Sequence, residues 1–178
     1  MSLRSKWLFV LVGNDRTGKT ELQKKLIVLL SDENRDIRLE CNRLFQITHP
    51  YVIRKIRDFS IGNRSFQEKR QDYQSVPNYF QNHFQNADFC FISSHLITAD
   101  IVQMIGEGHR RFYNVCGVFF TNSIASDPSA NAEISQLNWD ERWIASNDIT
   151  SDEELQDQQL QSVAETFVQI LIERSRMW

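Results

Sequence analysis

The feature that most restricts the fold is a polar, glycine-bounded loop between two apolar segments near the start of the chain. Residues 7–12 form a continuous apolar run rich in strand-forming side chains, which predicts a strand buried on both faces. From Gly18 onward, leucines recur at helical spacing as far as Leu30, which predicts an amphipathic helix. A buried strand, a tight loop and a helix in this order indicate the first unit of an α/β domain.

The loop matches the pattern G-x-x-x-x-G-K-[ST] at every fixed position. Its residues are Gly13, Asn14, Asp15, Arg16, Thr17, Gly18, Lys19 and Thr20. The pattern is typical of phosphate-binding loops, in which glycines allow backbone N–H groups and a helix N-terminus to face phosphate oxygens. Lys19 would place a charge on the terminal phosphates, and the Thr20 hydroxyl would bind Mg²⁺. We therefore expect ATP, or another nucleoside triphosphate, together with magnesium.

Strand and helix patterns alternate along the rest of the chain. Further strands are predicted over residues 37–42, 88–94 and 113–122 and within 139–148. Helices are predicted near 51–59, over 98–111 and in the C-terminal segment, where Ser151 and Glu154 resemble a capping box. The alternation predicts an α/β fold. Specifically, we expect one P-loop NTPase domain over residues 1–178, with three α/β/α layers and a mostly parallel sheet of about five strands.

Composition narrows the function further. The formal net charge of −3 gives no global attraction for nucleic acid or for an anionic membrane, so neither partner is predicted. No apolar run approaches the length of a membrane span. The three scattered cysteines are a poor disulfide framework and favour free thiols in a reducing cytoplasm. Oligomeric state stays open, with a homodimer as one option.

The residues inside the loop indicate which class of phosphate-binding protein this is. A GTPase would carry an Asn-Lys-x-Asp motif after a late strand, where this chain reads FFTNSIASD. The combination of Gly13, Asp15, Arg16, Gly18 and the Lys-Thr pair instead resembles the nucleoside and nucleotide kinases, and within them the thymidylate kinase family. The resemblance implies ATP-dependent phosphoryl transfer to a small acceptor.

The same resemblance implies roles for the loop side chains. It implies that Asp15 contacts the acceptor, and that Arg16 stabilises the transferring group in place of arginines from a lid. Residues 123–136 are mostly small and polar, which predicts a loop. The candidate lid, residues 123–138, contains no Arg or Lys, as that division of labour requires. A solvated Asp15–Arg16 pair is the alternative reading. The family's acceptor-binding helices correspond to residues 43–86.

Other candidate residues follow the predicted strands. Near the second strand, Glu40 could bind an acceptor or position magnesium, and Arg43 could meet an anionic acceptor; for both, the alternative is a solvated charge. Ser94 ends the strand predicted over residues 88–94, and His95 follows it directly; the thymidylate kinases carry Asp-Arg-Tyr at this point. His95 could bind phosphate or carry a proton, or simply pin a loop. Asn147 lies where such kinases contact adenine with backbone groups.

Three functions are compatible with these features. The first is a kinase that moves the γ-phosphoryl group of ATP to a nucleotide or nucleoside. The second is a nucleotide-binding regulatory module without phosphotransfer. It is favoured because the strand predicted over residues 88–94 ends in Ser93 and Ser94 rather than in the acidic residues that ATPases carry there. The third is a phosphotransferase that acts on a non-nucleotide small molecule.

Overall fold

The computed structural model describes residues 6–34, 38–39, 41–53 and 55–176. Its strands are β1 (Lys6–Val12), β2 (Arg43–Gln46), β3 (Asp58–Gly62), β4 (Phe89–Ser94), β5 (Tyr113–Phe120) and β6 (Glu141–Ala145). Its helices are α1 (Lys19–Leu30), α2 (Arg70–Tyr73), α3 (Val76–Asn82), α4 (Thr98–Arg110), α5 (Thr121–Ser126), α6 (Pro128–Ser135) and α7 (Glu153–Arg176).

The strands form one mixed sheet in the order β2-β3-β4-β1-β5-β6. Every neighbouring pair is parallel except β2–β3, which is antiparallel. β1 lies near the middle, between β4 and β5, and its side chains are almost completely buried. The prediction of an α/β fold with a mostly parallel sheet is therefore confirmed.

Helices cover both faces of the sheet. Successive side chains of β1 point to opposite faces, and each set packs against a different group of helices. On one face, Phe9 and Leu11 pack with the apolar stripes of α1 and α7. On the other face, Leu8 and Val10 pack with α3, α4 and α6. Since both faces are buried, the central strands read as continuous apolar runs in the sequence.

The predicted organisation of residues 37–62 is wrong. Residues 38–39 and 41–42 are not in a strand; residues 37 and 40 lie outside the described part of the chain. The strand begins later, at Arg43, and is an antiparallel edge strand. The predicted helix near 51–59 is contradicted as well, because Asp58–Gly62 is strand β3, hydrogen-bonded between β2 and β4. The described sheet thus has six strands rather than about five.

Two further local predictions need correction. Residues 123–136, expected to be a loop, fall largely within helices α5 and α6. The Asp127 side chain caps α6 by accepting a hydrogen bond from the Ala130 N–H group, with Pro128 in the first turn. The last helix is capped by Asp152 rather than by Ser151, since the Asp152 carboxylate accepts from the N–H groups of Glu154 and Leu155.

Helix α7 is the longest helix, with 24 residues. Charged and amide side chains alternate with its apolar stripe. Neither α7 nor any other helix in the described ranges is long and apolar enough to cross a membrane.

Candidate functional site

The glycine-rich loop (residues 13–20) lies at the carboxyl edge of the sheet, between β1 and α1. The Gly13 N–H group donates to the Ser94 carbonyl at 3.0 Å, which joins the loop to the end of the neighbouring strand β4. After β1 the chain continues to β2 and β3, which lie on one side of β1 in the sheet. After β4 it continues to β5 and β6, which lie on the opposite side. Ligands of open α/β sheets bind at such a switch point, outside the carboxyl ends of the strands.

The loop backbone is shaped by two residues with positive φ. Gly18 has φ +93° and precedes the first residue of α1, and Arg16 has φ +63°. The first hydrogen bond of α1 runs from the Leu22 N–H group to the Gly18 carbonyl. The N–H groups that precede Leu22 therefore have no carbonyl within the helix and are free to face an anion.

Alanine at Gly18 should destabilise the loop. The new methyl group would lie 2.8 Å from Asn147 Nδ2 and 3.0 Å from Leu160 Cδ2, and φ +93° is unfavourable for any L side chain. We expect Gly18→Ala to lower the free energy of unfolding by ~1–3 kcal/mol and to weaken ATP binding. Urea denaturation and calorimetric titration with ATP measure the two effects.

Gly106→Ala is the matched control for that substitution. Gly106 lies within α4, and a methyl group there would meet only Arg110 Nη2, at 3.8 Å. Alanine is the better helix former by roughly 1 kcal/mol, so this variant should be as stable as the wild type or more so. If Gly18→Ala proved equally harmless, the tight packing of the loop against residue 147 would be contradicted.

The Lys19 amine lies across the loop rather than in solvent. Its Nζ donates to the Gly13 carbonyl, to the Asn14 carbonyl at 2.6 Å and to Thr17 Oγ1 at 3.2 Å. The residue is only 9% exposed. Burial lowers the pKa of Lys19 to about 8, although the negative charges of Asp15 and Glu68 act in the opposite direction.

This lowered pKa gives a prediction for ligand binding. If the charged amine is the form that binds phosphate, ATP affinity should fall about tenfold between about pH 7 and pH 9, as Lys19 loses its proton. The unfolded chain would keep that proton up to about pH 10.4. For this group alone, the free energy of unfolding should therefore rise with pH between the two pKa values.

Titration calorimetry with a non-hydrolysable ATP analogue across this pH range measures the first effect. Lys19→Met, which cannot be charged, should bind weakly and should show no decline over the same interval. A wild-type affinity that stays constant through pH 9 would contradict the assignment of Lys19 as the pH-dependent group.

Asp15 and His95 meet above the loop. His95 Nε2 lies 3.3 Å from Asp15 Oδ1, and the Leu96 N–H group donates to the Asn14 side chain at 3.2 Å. These contacts join the loop to the segment that follows β4. Arg16, by contrast, is exposed, and it forms no ion pair with any residue that the structure describes.

Asn147 supports the loop from behind. The residue is fully buried, and its side-chain Nδ2 donates to the Thr17 carbonyl at 2.8 Å. Its backbone N–H group donates to Thr121 Oγ1 at 2.8 Å, and Asn122 makes a second, longer bond to Thr17. The side chain of Asn147 is thus committed to the loop, while the adenine contact expected of its backbone groups stays a prediction.

The residues predicted for the acceptor side separate into three cases. The Ser94 hydroxyl is buried and donates to the His95 carbonyl. Arg43 lies at the same edge of the sheet, but its guanidinium pairs with Glu33 at 2.7 Å and lies over the Phe45 ring. Glu40 lies outside the described residues.

Sequence reasoning missed several side chains that reach the site from the segment after β3. Gln67 bridges this segment to β4, because its Oε1 accepts from the His95 N–H group and its Nε2 donates to Asp100 at 2.9 Å. Glu68 and Asn63 line a cavity of about 190 Å³ at the loop. The other residues of its wall are Asp15, Arg16, Thr17, Gly18, Lys19, Thr20, Glu21 and His95.

The cavity lining contains the kinds of group that hold a polyphosphate and magnesium in phosphate-binding loops. Lys19 and Arg16 supply positive charge, and the start of α1 supplies N–H donors. The exposed Thr20 hydroxyl and the Glu68 carboxylate are oxygen ligands of the kind that Mg²⁺ prefers, directly or through water. The Asn63 Oδ1 atom is buried and has no hydrogen-bond partner among the described residues. Among the described residues, no cluster of His, Cys, Asp and Glu forms a preformed metal site.

Comparisons of the chain with protein-family models, with curated proteins and with solved structures found no match. Function is therefore argued below from the residues and their geometry.

Proposed function

We propose that the protein is a P-loop phosphotransferase that moves the γ-phosphoryl group of ATP to a small acceptor, and that this acceptor is a nucleotide or nucleoside. The observation that carries the proposal is the buried Lys19 amine, held across the carbonyls of the glycine-rich loop at the carboxyl end of a central parallel strand. A phosphate that enters the cavity offers this amine stronger acceptors than the neutral carbonyls it contacts now.

Each loop side chain has a role in this reaction. Lys19 holds the terminal phosphates, and Thr20 is the protein ligand for magnesium, which neutralises phosphate charge when bound. Arg16 is exposed and unpaired with the described residues, so its guanidinium is available to the equatorial oxygens of the transferring group. Asp15, positioned by His95, faces the acceptor side. Phosphoryl transfer requires mainly positioning and charge stabilisation, and these residues supply both.

The test is release of ADP from ATP and magnesium, with and without a panel of nucleosides, nucleotides and small hydroxyl compounds. Release that an acceptor stimulates, and that Lys19→Ala abolishes, is the expected result. The panel also separates a nucleotide kinase from a phosphotransferase acting on a non-nucleotide. Stimulated release at the wild-type rate in Lys19→Ala would refute the proposal.

One observation favours the second candidate, a nucleotide-binding regulatory module. Strand β4 ends in Ser93 and Ser94, and both hydroxyls are engaged inside the protein, with Gln23 and Gln67 respectively. The next residue is His95, so no carboxylate directly follows this strand. ATP binding without turnover on any acceptor would favour this candidate.

A further inference from the structure

A second, larger groove adjoins the cavity at the glycine-rich loop. The groove, of about 840 Å³, lies between the segment before β2 and the segment after β3. It is lined by Arg38, Leu39, Cys41, Arg64, Glu68 and Lys69. We refer to it below as the side groove. It is considerably larger than the loop cavity and has room for a small organic molecule.

Glu68 connects the two spaces, because it lines both the loop cavity and the side groove. Its Oε2 accepts hydrogen bonds from the Ser65 N–H group at 2.8 Å and from the Ser65 hydroxyl at 3.1 Å, while Oε1 accepts from Arg64 at 3.2 Å. Partial burial of Glu68 opposes ionisation, but these bonds outweigh it and lower the pKa of the carboxyl. Oε2 thus accepts two bonds, whereas Oε1 accepts one and keeps a further lone pair for a ligand.

The described residues that line the side groove carry a net positive charge, although the net charge of the whole chain is −3. Arg38, Arg64 and Lys69 outnumber the single carboxylate of Glu68 among the lining residues. Arg64 forms a salt bridge with Glu68 at 3.2 Å, and Lys69 forms one with the exposed Asp72 at 3.0 Å. These exposed pairs are weak and exchange readily for a ligand anion. The cations Arg38 and Lys69 in the groove lining therefore favour an anionic group on the ligand.

We propose that the side groove is the acceptor site, and that its acceptor is a small molecule carrying both a hydroxyl and an anionic group. This inference rests on the proposed phosphotransferase function. Arg38 and Lys69 bind the anionic group, and Glu68 accepts a hydrogen bond from the hydroxyl at the junction with the loop cavity.

The reaction then runs across the shared wall. The acceptor oxygen forms a bond to the terminal phosphorus as the bond from that phosphorus to the ADP oxygen breaks, and ADP leaves with the electron pair. The hydroxyl proton passes to a phosphoryl oxygen and then to water. Glu68 acts here by orienting the hydroxyl, which suits its lowered pKa, since a strong base is not required.

The test measures binding with matched pairs of probes that differ in one anionic group: uridine and uridine monophosphate, glycerol and glycerol phosphate, glucose and gluconate. The protein is first saturated with magnesium and a non-hydrolysable ATP analogue, and Lys19-dependent binding of the analogue is confirmed. Each probe is then titrated by calorimetry. We expect the anionic member of at least one pair to bind at least tenfold more tightly than its neutral partner.

Variants assign that preference to the side groove. Arg38→Ala/Lys69→Ala should weaken the anionic probe at least tenfold and leave the analogue affinity unchanged. Arg142→Ala/Arg176→Ala removes the same charge from exposed positions remote from the groove, and should have no effect. With a productive acceptor, Glu68→Gln should lower kcat more than it raises KM.

The outcomes separate the two proposals. Loss of analogue binding, or binding independent of Lys19, would count against the phosphotransferase function itself. If the analogue binds normally, three results would overturn the acceptor site but not the phosphotransferase function. These are equal affinity for neutral and anionic probes, no binding of any probe, and an anionic preference that survives Arg38→Ala/Lys69→Ala.

Discussion

Lys19→Ala should lower the rate of phosphoryl transfer by about 10²–10³-fold, the usual cost of removing one preorganised donor to the transition state. The amine already lies within the loop, in contact with the carbonyls of Gly13 and Asn14. It therefore reaches the bound phosphates with little rearrangement. A charged hydrogen bond of this kind contributes about 1.5–3 kcal/mol, so ATP affinity should fall about tenfold or more. Initial rates of ADP release and calorimetry measure the two losses.

Lys24→Ala is the matched control. Lys24 lies on the same helix and is partly exposed. Within the described part of the chain its ion pair is with Glu21, at i,i+3 spacing, and such a pair is worth little. It should keep wild-type activity. Circular dichroism on both variants checks that each is folded. A Lys19→Ala protein that folds and retains wild-type turnover would exclude the loop from the reaction.

Arg16→Ala should lower kcat by about 10³-fold, the lower end of what an arginine contributes when it stabilises a transferring phosphoryl group. ATP affinity should change less than about threefold, because Arg16 acts on charge that develops only in the transition state. Its exposure, and the lack of an ion pair with the described residues, leave the guanidinium available for this role. Steady-state kinetics with a productive acceptor separate kcat from KM.

The backbone at Arg16 requires a second variant, because its φ of +63° is unfavourable for alanine as well. Arg16→Gly removes the side chain and suits that conformation, so an equal loss in both variants assigns the effect to the guanidinium. Arg176→Ala, at the exposed end of α7, controls for loss of one positive charge. A large rise in KM for ATP with kcat unchanged would mean that Arg16 binds the ground state instead.

Patterns confined to one segment predicted most of the fold. β1, β4 and β5 are buried on both faces, so each reads as a continuous apolar run, and α4 carries a clear helical stripe. β3 was missed because Ser60 and Gly62 interrupt its apolar residues, although both are buried in the sheet. Its identity depends on pairing with β4, which is tertiary information.

The two short helices α5 and α6 were missed for a different reason. Their residues are small and polar, so they have no strong apolar stripe. The Asp127-Pro128 pair is a helix start signal, and it could have identified α6 within the predicted lid.

The sequence predicted only those residues of the candidate site that belong to a recognisable motif. The glycine-rich loop was found from its fixed positions, but Glu68 has no motif. It reaches the loop cavity because β3 pairs with β4 and directs the following segment to the same edge of the sheet. Without β3 the segment reads as the polar face of a helix. Gln67 was missed in the same way, since its partners are 27 to 33 residues further along the chain.

The bond from Asn147 to Thr17 joins residues that are 130 positions apart, and this separation affects the order of assembly. During synthesis, the motif leaves the ribosome early, but the support for its shape arrives only with the turn after β6. The first 120 residues therefore contain the complete motif but lack Asn147, whose side chain supports the loop. If the loop binds a nucleotide as proposed, we expect a nascent chain to gain that affinity only after Asn147 has packed against Thr17.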